Sequence, residues 1–229
     1  MKKRYPVEFV YQILSLIISL IVVHAFYVTA VRPRADAILA EQVAQMQIDP
    51  TYVQERSAWV VIRDFEQEAC FVLMLWAIAI MIYKGIASAR ERRLLQDDLV
   101  PLAEGTRILP EDAREFTRQI QSLPEAEQRS LLPRALLGAL DRFSATRNIQ
   151  DVSTTAHDVC DAESERLDSE LSMVRYIAWA IPSIGFLGTV RGIGDALGQA
   201  HQAVEGEIAG VTQSLGVAFN STFVALLIS

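Results

Sequence analysis

Thr189, Ser221 and Thr222 are the residues whose type and setting best suit them to pass on an ion or a proton. They lie in "IPSIGFLGTVRGIGDALGQA" (181–200) and "AFNSTFVA" (218–225), stretches apolar enough to be buried yet rich in small residues. A hydroxyl donates and accepts at once, so a file of hydroxyls can relay a proton or hold a water. At about 100° per residue, Pro182, Gly185, Thr189, Gly192, Ala196 and Gln199 share one third of a helix circumference. Ser214, Ala218, Ser221, Thr222, Ala225 and Ser229 do the same in the second stretch, with Phe219, Phe223, Leu226 and Leu227 opposite. Small residues by themselves would let two helices pack closely, each hydroxyl bonding back to a carbonyl one turn earlier. Two such stripes in adjacent segments favour a shared passage. Its polar lining would be Thr189, Ser221 and Thr222, with Pro182, Gly185, Gly188, Gly192, Ala218 and Ala225 setting the helix packing.

Such stripes need membrane helices to carry them, and the composition agrees. Of 229 residues 51% are hydrophobic, the mean hydropathy is +0.23 and the formal charge is −7, more apolar than most soluble domains of this size. A bilayer core ~30 Å thick takes about 20 apolar residues of helix. Four runs qualify: 7–31, 69–87, about 173–197, and one from about 211 onward. The first is longer than the ~7–15 residues of a signal-peptide core and is expected to be retained, although "RPRADA" beyond it imitates a cleavage site. The fourth has no Lys or Arg behind it, so the natural chain is expected to continue past Ser229 into a cytoplasmic helix.

The basic residues Lys2, Lys3, Arg4, Lys84, Arg90, Arg92 and Arg93 must share the cytoplasmic side. The expected organisation is therefore a cytoplasmic N-terminus and first span (1–31), a periplasmic loop (32–68) and a second span (69–87). A helical cytoplasmic segment (88–172) and the third and fourth spans (173–229) follow. Arg32, Arg34, Arg56 and Arg63 blur the first loop, whereas the 198–210 connection has no Lys or Arg. The fold class expected is an all-α membrane protein with four transmembrane helices and helices extending into the cytoplasm.

Within 88–172, "LPEDAREFTRQIQS" (109–122) and "LPEAEQRSLLPRALLGALDRF" (123–143) both open with Pro followed by acidic residues, a helix start. From about Asn148 no Pro or Gly interrupts the pattern before the third span, which predicts one long helix entering the membrane.

Pro182, Gly185, Gly188-Thr189-Val190, Gly192-Ile193 and "AFNSTFVA" (218–225) together resemble the two pore helices of the ExbB/TolQ/MotA proton-channel family. The resemblance is specific over 182–229 and looser over 69–93. It implies a homo-oligomer, a pentamer in this family, in the bacterial inner membrane with its N-terminus cytoplasmic. It also implies an ExbD/TolR/MotB-like single-span partner carrying a membrane Asp, with ion flow turning or shifting one part against the other. Thr189 and Thr222 match the family's pore threonines. Where ExbB and TolQ carry a glutamate early in the last span, this chain has Val217. The residues themselves agree, since no carboxylate falls within the apolar part of the four runs. A proton path needs an ionisable group at membrane depth, which the partner would supply.

Arg191 is expected to snorkel outward or to pair with Asp195 one turn on, and the two are candidates for an outer gate. Asn220 points away from the stripe and is expected to bond a neighbouring helix. His24, away from the Ser15/Ser19 face, is expected to be a satisfied interhelical histidine. Cys70 and Cys160 fall on opposite sides of the membrane.

No phosphate loop, metal-ligand cluster or nucleophile triad appears, no cofactor is expected, and the charge pattern reads as topology rather than nucleic-acid binding. These observations point away from an enzyme. Two functions remain: a proton-conducting stator subunit, or a membrane scaffold or sensor whose 32–68 loop binds a ligand and whose stripes are packing only.

Overall fold

The computed structural model describes residues 7–48, 52, 56–96, 99–100, 108–204, 206 and 208–229. Among them the regular structure is helical, with no strand. Lys2, Lys3 and Arg4, used above for orientation, lie outside the described residues, as does part of the 32–68 loop.

The chain opens with α1 (Val7–Phe26), a π turn (Tyr27–Val31) and α2 (Arg32–Ile48) in direct succession. The π turn has a local cause. Pro33 has no N–H and its ring crowds the carbonyl four residues back, so the preceding turn widens and the Arg32 N–H reaches Tyr27 O. Thus the 32–68 segment begins as helix rather than as irregular loop. A short α3 (Ala58–Val61) leads to α4 (Phe65–Leu94), which starts before the expected edge at residue 69. Its first turn carries Glu66 and Glu68 and its last Arg92 and Arg93, both matched to the helix dipole.

Two compact units result: residues up to Met81 with Met173–Ser229, and Ile82–Ser172. The second contains α5 (Ala113–Gln121), α6 (Glu125–Gln128), α7 (Leu131–Thr146) and α8 (Ile149–Glu170). The expected helix over 123–143 is broken here. It does start after Pro124, but the chain becomes extended again at Ser130, the N-cap of α7, so that Pro133 falls in a first turn where its missing N–H costs nothing. The core of this unit is Ala113, Ile120 and Leu140, with Phe116, Leu136 and Phe143 around it. Asn148 caps α8, its side-chain oxygen accepting from the Gln150 N–H at 3.0 Å. A single residue, Leu171, separates α8 from α9 (Ser172–Gly198), so the long helix expected from Asn148 is nearly uninterrupted.

The first unit joins α1 to α4 and α4 to α9, and ends with α10 (Ala200–Val204) and α11 (Ala209–Ile228). Val23, Tyr27, Val31 and Val72 form one buried cluster; Cys70, Ile80, Ile177, Ile181 and Ala225 form the other. Apolar contact alone gives little preference for a neighbour helix over lipid, so cross-helix hydrogen bonds matter. Tyr11 Oη donates to Ala79 O and Trp76 Nε1 to Gln12 O, each at 3.0 Å, which fixes α1 against α4. Four helices are long and apolar enough to cross a membrane. Their outward faces are large and bare, with Trp179 79% exposed and Phe186, Leu187, Phe219 and Leu227 also open, a surface that water would not tolerate.

Candidate functional site

The two small-residue stripes face each other within one chain. A Cβ added at Gly192 would stand 2.7 Å from both Ala218 N and Ser214 O, and one at Gly188 would stand 2.5 Å from Ser221 Cβ and Oγ. At Gly185 it would run into Ala225 Cβ, with Ser221 O 3.1 Å away. Ala218 and Ala225 are correspondingly buried. Glycine here serves close approach of α9 to α11, backbone against backbone. Pro182, half-buried inside α9, removes one helical N–H and so leaves the carbonyl four residues back without its usual donor.

Between these contacts the hydroxyls of Thr189 and Thr222 hydrogen-bond to each other. Thr189 Oγ1 also lies 3.0 Å from Ala218 O and 3.4 Å from Gly185 O, and Thr222 Oγ1 lies 3.2 Å from Gly185 O. Two hydroxyl protons serve this set. When one hydroxyl donates to the other, the second is free to donate to a carbonyl, and rotating both reverses the direction. Both threonines are half-buried, so the pair is not sealed within the chain. Ser221, 1% exposed, donates to Val217 O at 2.9 Å and receives Gln67 Nε2 at 3.4 Å.

Gln67 belongs to α4, and that helix supplies what the sequence reading left out. Setting the second span at residue 69 excluded Glu66, Gln67 and Glu68, yet all three lie in the first turn of α4 and reach other helices. Glu66 takes Arg191 in a two-pronged pair, Nε to Oε1 at 2.7 Å and Nη2 to Oε2 at 2.9 Å. Of the two alternatives for Arg191, snorkelling outward or pairing with Asp195, neither is its hydrogen-bonded state: it pairs with Glu66 on another helix. A planar guanidinium is matched better by a carboxylate presented edge-on from another helix than by a neighbour one turn away. The Asp195 side chain is exposed, and its backbone carbonyl accepts from Gln199 Nε2 at 3.2 Å. Glu68, nearly buried, binds His24 Nδ1 at 2.7 Å and Arg32 Nη2, so His24 is satisfied across helices as its position suggested. Asn220 bonds Arg56 Nη2 at 3.2 Å. Cys70 and Cys160 are both free.

Asp64 directly precedes α4. Burial pushes its carboxyl above the ordinary carboxylate range, while Arg63, Arg191 and Arg32 pull it back. It lines an outer cleft of the first unit together with Arg56, Arg63, Val61, Val217 and Asn220. No group of His, Cys, Asp and Glu suited to a metal ion occurs among the described residues.

A hydroxyl pair held across two glycine-packed membrane helices is the arrangement against which known proteins can be compared. Residues 127–229 match the MotA/TolQ/ExbB proton channel family. The matched stretch contains α9, α11, Thr189 and Thr222, and it reaches further into the helical segment than the 182–229 resemblance did. It does not extend over 69–93, the stretch of looser likeness. No curated protein and no solved structure matches the chain. The four apolar helices and this match support a membrane protein whose residues 127–229 are similar to a proton channel family.

Proposed function

We propose that α9 and α11 form the proton-conducting element of an ion-driven motor subunit, a stator. In this reading the chain assembles as a homo-oligomer, a pentamer by resemblance, in the bacterial inner membrane with its N-terminus in the cytoplasm. A single-span ExbD/TolR/MotB-like partner carries the membrane Asp, and ion flow between Thr189, Thr222 and that carboxylate is converted into motion. The observation that carries the reading is the Thr189–Thr222 hydroxyl contact inside the stretch that matches a proton channel family. Arg191 and Glu66 would close the outer end, a role consistent with their paired charges. The test is reconstitution in liposomes under an imposed proton gradient, with and without the partner. Proton uptake should require both proteins, and uptake by neither combination would overturn the reading.

One observation favours the second reading, a scaffold or sensor without conduction. The glycines of α9 already find their contacts on α11 of the same chain, which packing alone would explain. The reconstitution separates the two.

A further inference from the structure

Gln67 is fully buried, yet its side-chain oxygen Oε1 has no hydrogen-bond partner among the described residues. A buried amide oxygen left in this state costs about 1–3 kcal/mol, and such groups in native proteins are usually answered by an ordered water or an ion. Turning the amide over does not remove the problem. The two ends of the carboxamide would exchange places, an oxygen would then face Val61 O, and an NH2 would stand unpartnered instead.

The surroundings indicate where a partner would come from. Gln67 Nε2 lies 3.2 Å from Val61 O and 3.4 Å from Ser221 Oγ. Ser221 Oγ in turn donates to Val217 O at 2.9 Å. Val61 and Val217 both line the outer cleft, alongside polar Gln42, Ser57, Asp64, Gln213 and Asn220. The two residues whose carbonyls accept from Gln67 and Ser221 therefore also border a polar cleft. On the other side, Ser221 adjoins Thr222, whose hydroxyl meets Thr189. A buried water is stable where two to four polar partners converge, and Gln67 Oε1 and Ser221 Oγ offer two of them.

We infer that Gln67 and Ser221 hold a water between the outer cleft and the Thr189–Thr222 pair, so that the second span contributes directly to the proton path. Gln67 is then a positioning residue: it orients the water, and the water meets the hydroxyls. This rests on the proton-path reading for its consequence, though the water site itself does not.

The test uses the complex of full-length chain and partner, with two readouts. The first is a map of the complex fine enough to show ordered water. Density within hydrogen-bond distance of both the Gln67 carboxamide and Ser221 Oγ is expected; a Gln67 amide satisfied by protein groups alone, or left bare, would overturn the water site. The second is proton uptake in liposomes. Gln67→Leu, in complexes of wild-type size, should lower uptake about tenfold or more. Should Gln67→Leu fail to assemble, Ser221→Ala takes its place with the same expectation. Wild-type uptake in the assembled variant would overturn the inference. Loss of uptake in Gln67→Leu with unaltered uptake in Thr189→Val/Thr222→Val would instead implicate the threonine reading alone.

Discussion

The hydroxyls of Thr189 and Thr222 meet between two close contacts of α9 with α11, Gly185 with Ala225 on one side and Gly192 with Ala218 on the other. A hydrogen bond between two short side chains on different helices is possible only because the neighbouring positions lack bulk. Packing and chemistry are thus one feature of the sequence.

Larger side chains in the flanks should drive α9 away from α11, and at Gly188 they also meet the Ser221 hydroxyl. Gly188→Leu and Ala218→Leu would each force helices apart whose backbones cannot yield, since a single Cβ at Gly192 already falls 2.8 Å from Ala218 Cβ. Overpacking of this kind costs roughly 1–3 kcal/mol or more. The detergent-solubilised variants should melt at lower temperature than the wild type; unchanged melting would contradict the packing described for α9 and α11.

Arg191 and Glu66 should behave as a coupled pair. Glu66 has a side chain only 15% exposed, so Arg191→Ala leaves a shielded carboxylate without its guanidinium, and Arg191→Lys replaces two aligned N–H donors by one point charge. Each single variant should lower thermal stability, by about 1–3 kcal/mol. Glu66→Gln/Arg191→Met should lose less than Glu66→Gln and Arg191→Met measured separately and summed. Strict additivity in the double-mutant cycle would show that the pair contributes nothing.

The helices of the second unit carry a pH signature in Glu163. This carboxylate, 3% exposed, sits between Arg134 at 3.0 Å and Arg166 at 2.5 Å. Burial works to raise it, but the hydrogen bonds from Arg166 and Arg134 prevail and hold it below the ordinary glutamate range. A carboxyl depressed in the folded state stabilises it above the unfolded pKa of ~4.3, and that stability is lost as pH falls through the lower folded value. The protection of α7 and α8 amides in the full chain, taken relative to the intrinsic exchange rate at each pH, should therefore fall on going from neutral to acid pH. Glu163→Gln should exchange faster at neutral pH and show a smaller acid dependence. Equal acid dependence in both proteins would assign the effect to other groups.

Orientation is open to direct labelling. Cysteines introduced at Gln45 and Gly206 should react with a membrane-impermeant thiol reagent added outside intact cells, and one at Glu127 should not. Reaction at position 127 would invert the topology.

Much of this architecture is legible in the sequence because it depends on spacing. Gly185, Thr189 and Gly192 recur at helical intervals, as do Ala218, Ser221, Thr222 and Ala225, and a face built that way has to meet another helix. The partners of those faces are less legible. Arg191 finds Glu66 at a sequence separation of 125, and no local pattern ranks that carboxylate above Asp195. Gln67 was hidden for a different reason: a hydropathy window places the span where the apolar run begins, although a helix can start a turn earlier on polar residues when other helices satisfy them. The Pro33 π turn and the break before Pro133 follow from known proline chemistry, but which neighbouring bond yields is decided by the surrounding packing.

The measurement closest to the central claim is proton uptake by the reconstituted Thr189→Val/Thr222→Val complex, with its oligomer confirmed by size. Valine keeps the shape of threonine and removes the hydroxyl. If the hydroxyl pair lies on the proton path, uptake should fall about tenfold or more, and Thr→Ser at both positions should retain much of it. If the pair only joins α9 to α11, the loss of a bond worth about 0.6 kcal/mol in membranes should leave conduction nearly intact. An assembled double-valine complex conducting at the wild-type rate would contradict the assignment of α9 and α11 as the proton path.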